Sequence, residues 1–168
     1  MAALLVNLLR PTEICRGIRD MLRVKTDINI DNRHPSLSLG NSRAWARGQT
    51  NVAEYVEPQS TRTITVRTII SSRGIIVYEI QNVTLVPHYL IITWTVKNWL
   101  KRGTNSVSCH VQQTLDNSKT LKQLYKDFHD KANRRYVGTT AIPMHEFAYR
   151  ISAGITDGSN AQVSITIQ

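Results

Sequence analysis

The sequence predicts an α+β, β-rich domain built on a single antiparallel sheet of about six to seven strands. The first observation is residues 61–97, the stretch densest in β-branched and aromatic side chains, which suit a pleated, half-buried surface. The second is one amphipathic basic helix at 119–132, and the third is an amphipathic helical arm at the N-terminal end. Four further strands are predicted at 105–115, 136–142, 146–155 and 162–167.

The central stretch alternates with a period of two, as a half-buried strand does. Ile64 and Val66 fall on one face of the first strand, and Thr65 and Arg67 fall on the other. Short links join this strand to the next two, so we expect all three to form a meander that seeds the sheet.

Residues 1–60 are predicted to form a helical arm and a long loop, and residues 61–168 the β-rich core domain. Residues 1–25 read as two helical pieces, with a restart at Pro11 and an N-cap at Thr12. One interpretation is a basic amphipathic surface for a membrane or a neighbouring subunit; the other is a surface helix packed on its own sheet. The contact residues would be Leu4, Leu5, Leu8, Leu9, Arg16, Arg19 and Arg23.

Residues 26–60 are rich in Asp, Asn, Gly and Pro, which is typical of a loop. A loop of that length is unusual in a compact domain and indicates a functional or intersubunit segment. Within it, Trp45 lies between Arg43 and Arg47. The indole could stack on a base or lie at a lipid interface, or it could plug the edge of the core, which we favour.

The helix at 119–132 carries an inward stripe of Leu121, Leu124, Tyr125, Phe128 and Ala132, with Asn117 or Ser118 as its cap. Residues 97–135 hold nine Lys and Arg against three Asp, a net charge of +6. Several of these cations oppose helix stability, which favours a polyanion-binding role. The predicted polyanion-binding residues are Lys97, Lys101, Arg102, Lys119, Lys122, Lys126, Lys131, Arg134 and Arg135.

The whole chain has 168 residues and a net charge of +9, which favours nucleic acid, an acidic membrane or an acidic protein as partner. Cys15 and Cys109 lie in unrelated contexts, so neither a disulfide framework nor a metal site is expected. No catalytic motif, phosphate loop or run of 18 apolar residues occurs. His145 and Glu146 would point to opposite faces of a strand. We therefore expect neither an enzyme nor a cofactor.

Short segments of the chain resemble the rhabdovirus matrix proteins. The likeness lies in Thr65-Val66-Arg67, Ser72-Arg73, Tyr78 and His88-Tyr89, and in residues 147–167, which are similar to that family's paired late strands. The chain departs from the family in lacking a Pro-Pro-x-Tyr or Pro-Thr/Ser-Ala-Pro budding motif, and the stretch after Val86 is more strand-like.

The resemblance implies a non-enzymatic structural protein of the virion, found also in the host cytoplasm and at the inner membrane face. It would form a homo-oligomeric lattice and bridge the nucleocapsid or RNA to an anionic membrane, with an envelope glycoprotein tail as a further partner. Two alternatives stay open. One is a small icosahedral coat protein with a jelly-roll fold that packages RNA, and the other is a cellular nucleic-acid-binding module.

Overall fold

A computed structural model describes residues 11–82, 86–98, 104–131, 140–142 and 150–168. Within these ranges the chain forms two stacked β-sheets, a short helix at one end and a second helix on an outer face. The helices are α1 (Pro11–Leu22) and α2 (Leu121–Lys131). The strands are β1 (Arg23–Asn32), β2 (Ser38–Arg47), β3 (Gln49–Thr50), β4 (Ser60–Ile69), β5 (Ser71–Gln81), β6 (His88–Lys97), β7 (Ser106–Gln112), β8 (Thr140–Ile142), β9 (Ile151–Ile155) and β10 (Asn160–Ile167).

The β-rich class is confirmed, but the single sheet is wrong. A six-stranded sheet has the order β3-β4-β1-β10-β9-β8, and a four-stranded sheet has the order β2-β5-β6-β7. The predicted meander fails at its first link, because β4 belongs to the six-stranded sheet while β5 and β6 pair in the four-stranded one. The strands predicted at 146–155 and 162–167 are present as β9 and β10, which pair antiparallel.

The prediction of a long loop over residues 26–60 is also wrong, since β1, β2 and β3 occupy most of it. β1 lies inside the six-stranded sheet, antiparallel to β4 and parallel to β10. Its inward residues Val24, Thr26, Ile28 and Ile30 are buried. Its outward residues are charged or amide side chains. Three of them, Asp27, Asn29 and Asp31, accept hydrogen bonds from threonine hydroxyls on β4, such as that from Thr65 to Asp27 at 2.7 Å.

The main core lies between the two sheets, where aliphatic side chains from both inner faces interlock. The largest of them is Trp94, which is completely buried and donates its indole N–H to Ser72 Oγ at 3.0 Å. Gly74 makes room for this ring, because a Cβ there would lie 2.5 Å from both the indole and the Trp45 carbonyl oxygen. A substitution at Gly74 would therefore displace the core.

The predicted basic helix exists as α2 and covers the outer face of the four-stranded sheet. Leu124 and Tyr125 are buried there as predicted. Trp45 packs against Tyr125 with ring centroids 5.4 Å apart, so the plug interpretation of Trp45 holds. The predicted caps are wrong: Thr120 caps the helix, and the Gln123 side chain accepts from the Thr120 N–H at 2.8 Å in a reciprocal capping box.

Candidate functional site

One end of the sandwich, which we call the α1 end, gathers α1 and the places where the chain passes between sheets. The chain crosses from β2 to β3 at Gly48 and from β4 to β5 at Ile70. Gly48 adopts a φ of +131°, and a Cβ there would lie 2.6 Å from the Arg67 carbonyl oxygen, so the crossing requires glycine. The Ile70 N–H donates to the Leu22 carbonyl at 2.9 Å, which attaches the end of α1 to this corner.

An open groove of about 810 Å³ lies at the α1 end, and we call it the α1 groove. It is formed where α1, the start of β1, the end of β4 and the start of β10 converge. Its lining residues are Arg19, Arg23, Val24, Lys25, Gly48, Gln49, Arg67, Thr68, Ile69 and Asn160. Four of these ten residues are cationic, and none is acidic.

The four cations of the α1 groove are only partly compensated. Arg23 forms an ion pair with Asp20 at 2.9 Å, and Lys25 forms one with Asp27 at 2.6 Å. Among the described residues, neither Arg19 nor Arg67 takes part in an ion pair. The cations of the groove therefore outnumber their carboxylate partners, and the guanidinium groups of Arg19 and Arg67 are available to an anion.

The strand register places like charges opposite each other beside the α1 groove. Lys25 on β1 pairs directly with Arg67 on β4, and both point to the outer face. Burial alone would raise the pKa of Asp27, but hydrogen bonds from Lys25 and Thr65 and the charges of Lys25 and Arg67 lower it. Directly opposed like charges destabilise a sheet. Asp27 offsets part of the repulsion between Lys25 and Arg67, and an anion bound beside them would offset more.

A second like-charged pair lies at the same end of the other sheet. Arg47 on β2 pairs with Arg73 on β5, and both side chains are exposed. Neither forms an ion pair within the described part of the chain. The α1 end thus presents unpaired arginines from both sheets.

The predicted contact residues fall into three groups. Arg19 and Arg23 line the α1 groove, with Arg23 opening β1 rather than continuing the helix. Arg16 is exposed on α1 but lies outside the groove lining. Leu4, Leu5, Leu8 and Leu9 lie outside the described residues.

The predicted polyanion-binding residues are dispersed. Lys97 pairs with Ser71 near the α1 end, whereas Lys122 and Lys126 are exposed on α2. Lys119 donates to Asp127 at 2.6 Å, and this hydrogen bond and the charge of Asp127 raise its pKa. Lys131 is the last residue of α2. Lys101, Arg102, Arg134 and Arg135 lie outside the described residues.

Local spacing in the sequence does not bring Lys25, Arg67, Arg47 and Arg73 together at one end. Their proximity depends on the register between strands that are distant in the sequence. One signal was available: Val24, Ile28 and Ile30 alternate with polar residues, which would have marked β1 as a strand that exposes Lys25.

The described residues offer little for covalent chemistry. Burial raises the pKa of the Cys109 thiol to about 12, so its nucleophilic thiolate is suppressed. No group of three or more His, Cys, Asp or Glu in the described ranges is arranged to hold a metal ion. Neither described helix has the length and apolar character needed to cross a membrane.

No protein-family model and no curated protein sequence matches the chain. Solved structures do match. The lipid-binding protein Nakanori aligns with a TM-score of 0.64 and 12% identity, over 94% of this chain and 81% of that chain. A mutated form of the Xerocomus chrysenteron lectin XCL aligns with a TM-score of 0.53 and 11% identity, over 87% of this chain and 98% of that chain. At these identities the likeness shows a shared fold, and both neighbours are non-enzymatic kinds of protein.

Proposed function

We propose that this chain is a non-enzymatic protein that binds anionic membrane surfaces through the α1 groove. The observation that carries the proposal is the convergence of Arg19, Arg23, Lys25 and Arg67 in one open groove without an acidic lining residue. Guanidinium and ammonium groups bind phosphate and carboxylate oxygens through charge-assisted hydrogen bonds. An anionic lipid headgroup presents this chemistry at a surface.

Nucleic acid shares the phosphate chemistry, but the groove suits it less. Binding of single strands commonly uses aromatic side chains on which bases stack. The described lining of the α1 groove contains no aromatic residue, and the indole of Trp45 is engaged beneath α2. The shared fold with a protein named for lipid binding supports the same choice.

A matrix-type role remains a prediction within this proposal. Such a protein would use the α1 groove on the membrane and a separate basic surface, such as Lys122 and Lys126 on α2, toward a nucleocapsid. Self-assembly and a location in the virion are further claims beyond membrane binding, and they need their own test. Electron microscopy of the protein with anionic vesicles would show a regular coat if assembly accompanies binding.

The direct test is co-sedimentation with vesicles of phosphatidylcholine, with and without phosphatidylserine. We expect Arg19→Gln, Lys25→Gln and Arg67→Gln together to weaken binding to the anionic vesicles by about 100-fold, since each cation near such a surface contributes about 1 kcal/mol. Raising the salt concentration should also weaken the binding of wild type to these vesicles, because salt screens the attraction between charges.

The matched control is Arg33→Gln, Arg62→Gln and Arg150→Gln, which removes the same number of positive charges from exposed residues at the other end of the sandwich. This control should bind within about twofold of wild type, and that small difference would reflect its lower net charge. A parallel Lys122→Gln, Lys126→Gln variant measures the share that α2 contributes. Equal losses in the groove variant and the matched control would refute a localised site.

A further inference from the structure

Exposed aliphatic side chains border the cations of the α1 end. Ile18, Ile69 and Ile70 are 53%, 42% and 37% exposed. Ile69 lines the α1 groove, and Ile70 forms the adjoining corner between the two sheets. Single exposed aliphatic side chains are common on protein surfaces. A group of three beside a basic groove is unusual enough to suggest a role.

The corner holds Ile70 in an unusual conformation. Its φ is +83°, in a region that β-branched residues rarely adopt. Holding the backbone there costs free energy, because the side chain crowds the main chain. The backbone is fixed on both sides: the Ile70 N–H donates to Leu22, and the Asn98 N–H donates to the Ile70 carbonyl at 3.3 Å. A glycine would make the same turn without strain. The isoleucine therefore keeps an apolar side chain exposed at a fixed position.

The register shows how closely the apolar and cationic groups are combined. Ile69 lies directly opposite Arg23 on β1, and it follows Arg67 by two positions on the same face of β4. A surface that mixes aliphatic groups with cations in this way matches the boundary between lipid headgroups and acyl chains.

We infer that the Ile69–Ile70 corner enters the acyl region of an anionic bilayer while the α1 groove holds the headgroups. This inference rests on the proposed function and adds the mode of attachment to it. A second copy of the chain is a poorer occupant, because two α1 ends facing each other would bring their unpaired arginines together. A bilayer with anionic headgroups supplies both the apolar volume and the opposite charge.

The experiment combines affinity with a depth measurement. The variant Ile69→Ser with Ile70→Gly removes both aliphatic groups, and the glycine suits the positive φ, so the fold should be retained. We expect it to bind phosphatidylserine-containing vesicles at least about tenfold more weakly than wild type. The matched control is Tyr55→Ser with Val86→Ser, which removes two exposed apolar side chains away from the α1 groove and should bind like wild type.

Depth is read from an environment-sensitive fluorophore on Ile70→Cys or, as control, Val86→Cys, each in a Cys15→Ser background, since Cys109 is buried. On anionic vesicles the probe at position 70 should shift to shorter wavelength and be quenched by spin-labelled acyl chains, and the probe at position 86 should do neither. One outcome would refute insertion of the Ile69–Ile70 corner and leave the proposed function intact. In it, binding depends on anionic lipid, but the probe at position 70 is not quenched and the isoleucine variant binds like wild type.

Other outcomes separate the two claims in the opposite direction. If the isoleucine variant loses binding and the probe is quenched, while neither phosphatidylserine nor the groove cations matter, the corner is supported and the proposed function is refuted. If wild type binds no vesicles at all, both are refuted.

Discussion

The two ends of the sandwich use the same residue types in opposite ways. At the end where β1 finishes, which we call the Asn32 end, Arg33 pairs with Asp31 at 2.6 Å and Arg62 with Glu57 at 3.8 Å. At the α1 end, Arg23 keeps Asp20 as a partner, but Arg67 faces Lys25 and Arg47 faces Arg73 across the strands. The available positive charge is therefore concentrated by strand register rather than by composition, because a neighbouring carboxylate decides whether a cation is available.

Each end also has a buried asparagine clamp, an asparagine whose side-chain amide binds the backbone of other segments of the chain. Asn32 donates to the carbonyls of Leu37 and Glu57 at 2.8 and 2.9 Å. Asn105 donates to the carbonyls of Thr156 and Gly158 at 2.9 and 2.8 Å and accepts from the Lys97 N–H. Both clamps are structural, but only the second one supports the turn that leads into the α1 groove.

The largest expected effect comes from removing these clamps. Asn32→Ala and Asn105→Ala should each lower the free energy of unfolding by about 3 kcal/mol, because several buried polar groups lose their partners. Urea unfolding measures both. At a temperature where both variants are folded, Asn105→Ala should also weaken vesicle binding, whereas Asn32→Ala should not. Equal binding by the two variants would show that the groove does not depend on the β9–β10 turn.

A smaller effect is expected from the cross-strand pair of arginines. Arg47→Gln with Arg73→Gln should raise the free energy of unfolding by about 0.5 kcal/mol, since opposed like charges are removed. The same change should weaken binding to anionic vesicles by roughly 30-fold. Stability and affinity thus move in opposite directions. If thermal and urea unfolding show a loss of stability instead, the two guanidinium groups are not repelling each other.

The smallest effect concerns the carboxylate beside the groove. Asp27→Asn should cost about 0.5 kcal/mol near neutral pH, through the loss of its ion pair, and should increase affinity for anionic vesicles a few-fold. Because folding lowers the pKa of Asp27, its contribution to stability is present above the ordinary value of 3.8 and is lost as the pH falls through the lowered one. Wild type should therefore lose more stability than the variant in that acidic interval.

The control is Asp31→Asn, which removes the corresponding carboxylate at the Asn32 end. It should lower stability slightly without changing vesicle affinity. A gain in affinity in both variants would indicate a general charge effect.

The sequence allowed the elements to be predicted better than their arrangement. Hydrophobic periodicity located α2 and the strands around Ile64, Ile76 and Ile92, because burial dictates those patterns locally. It failed for β1, whose outward Asp27, Asn29 and Asp31 resemble a loop although the inward residues alternate. The exchange of β4 and β5 between sheets occurs over one residue and leaves no periodic signal.

The candidate site shows the same limit. Arg19 and Arg23 were predicted from helical spacing, but the pairing of Lys25 with Arg67 exists only through tertiary register. A groove between distant strands cannot be read from local spacing. The individual charges could be counted in the sequence, and their convergence could not.

The parallel pairing of β1 with β10 sets an order of events during synthesis. Lys25 aligns with Asn160 and Asn32 with Ile167, so β1 must wait for β10 before its sheet is complete. The four-stranded sheet needs only residues between Ser38 and Gln112 and can be paired earlier. Since distant contacts slow folding, we expect pulse-labelled hydrogen exchange to protect Ile76 and Ile92 before Ile28. Until that last step, the emerging chain has β1 unpaired on its β10 side, and the α1 groove lacks Asn160 from its lining.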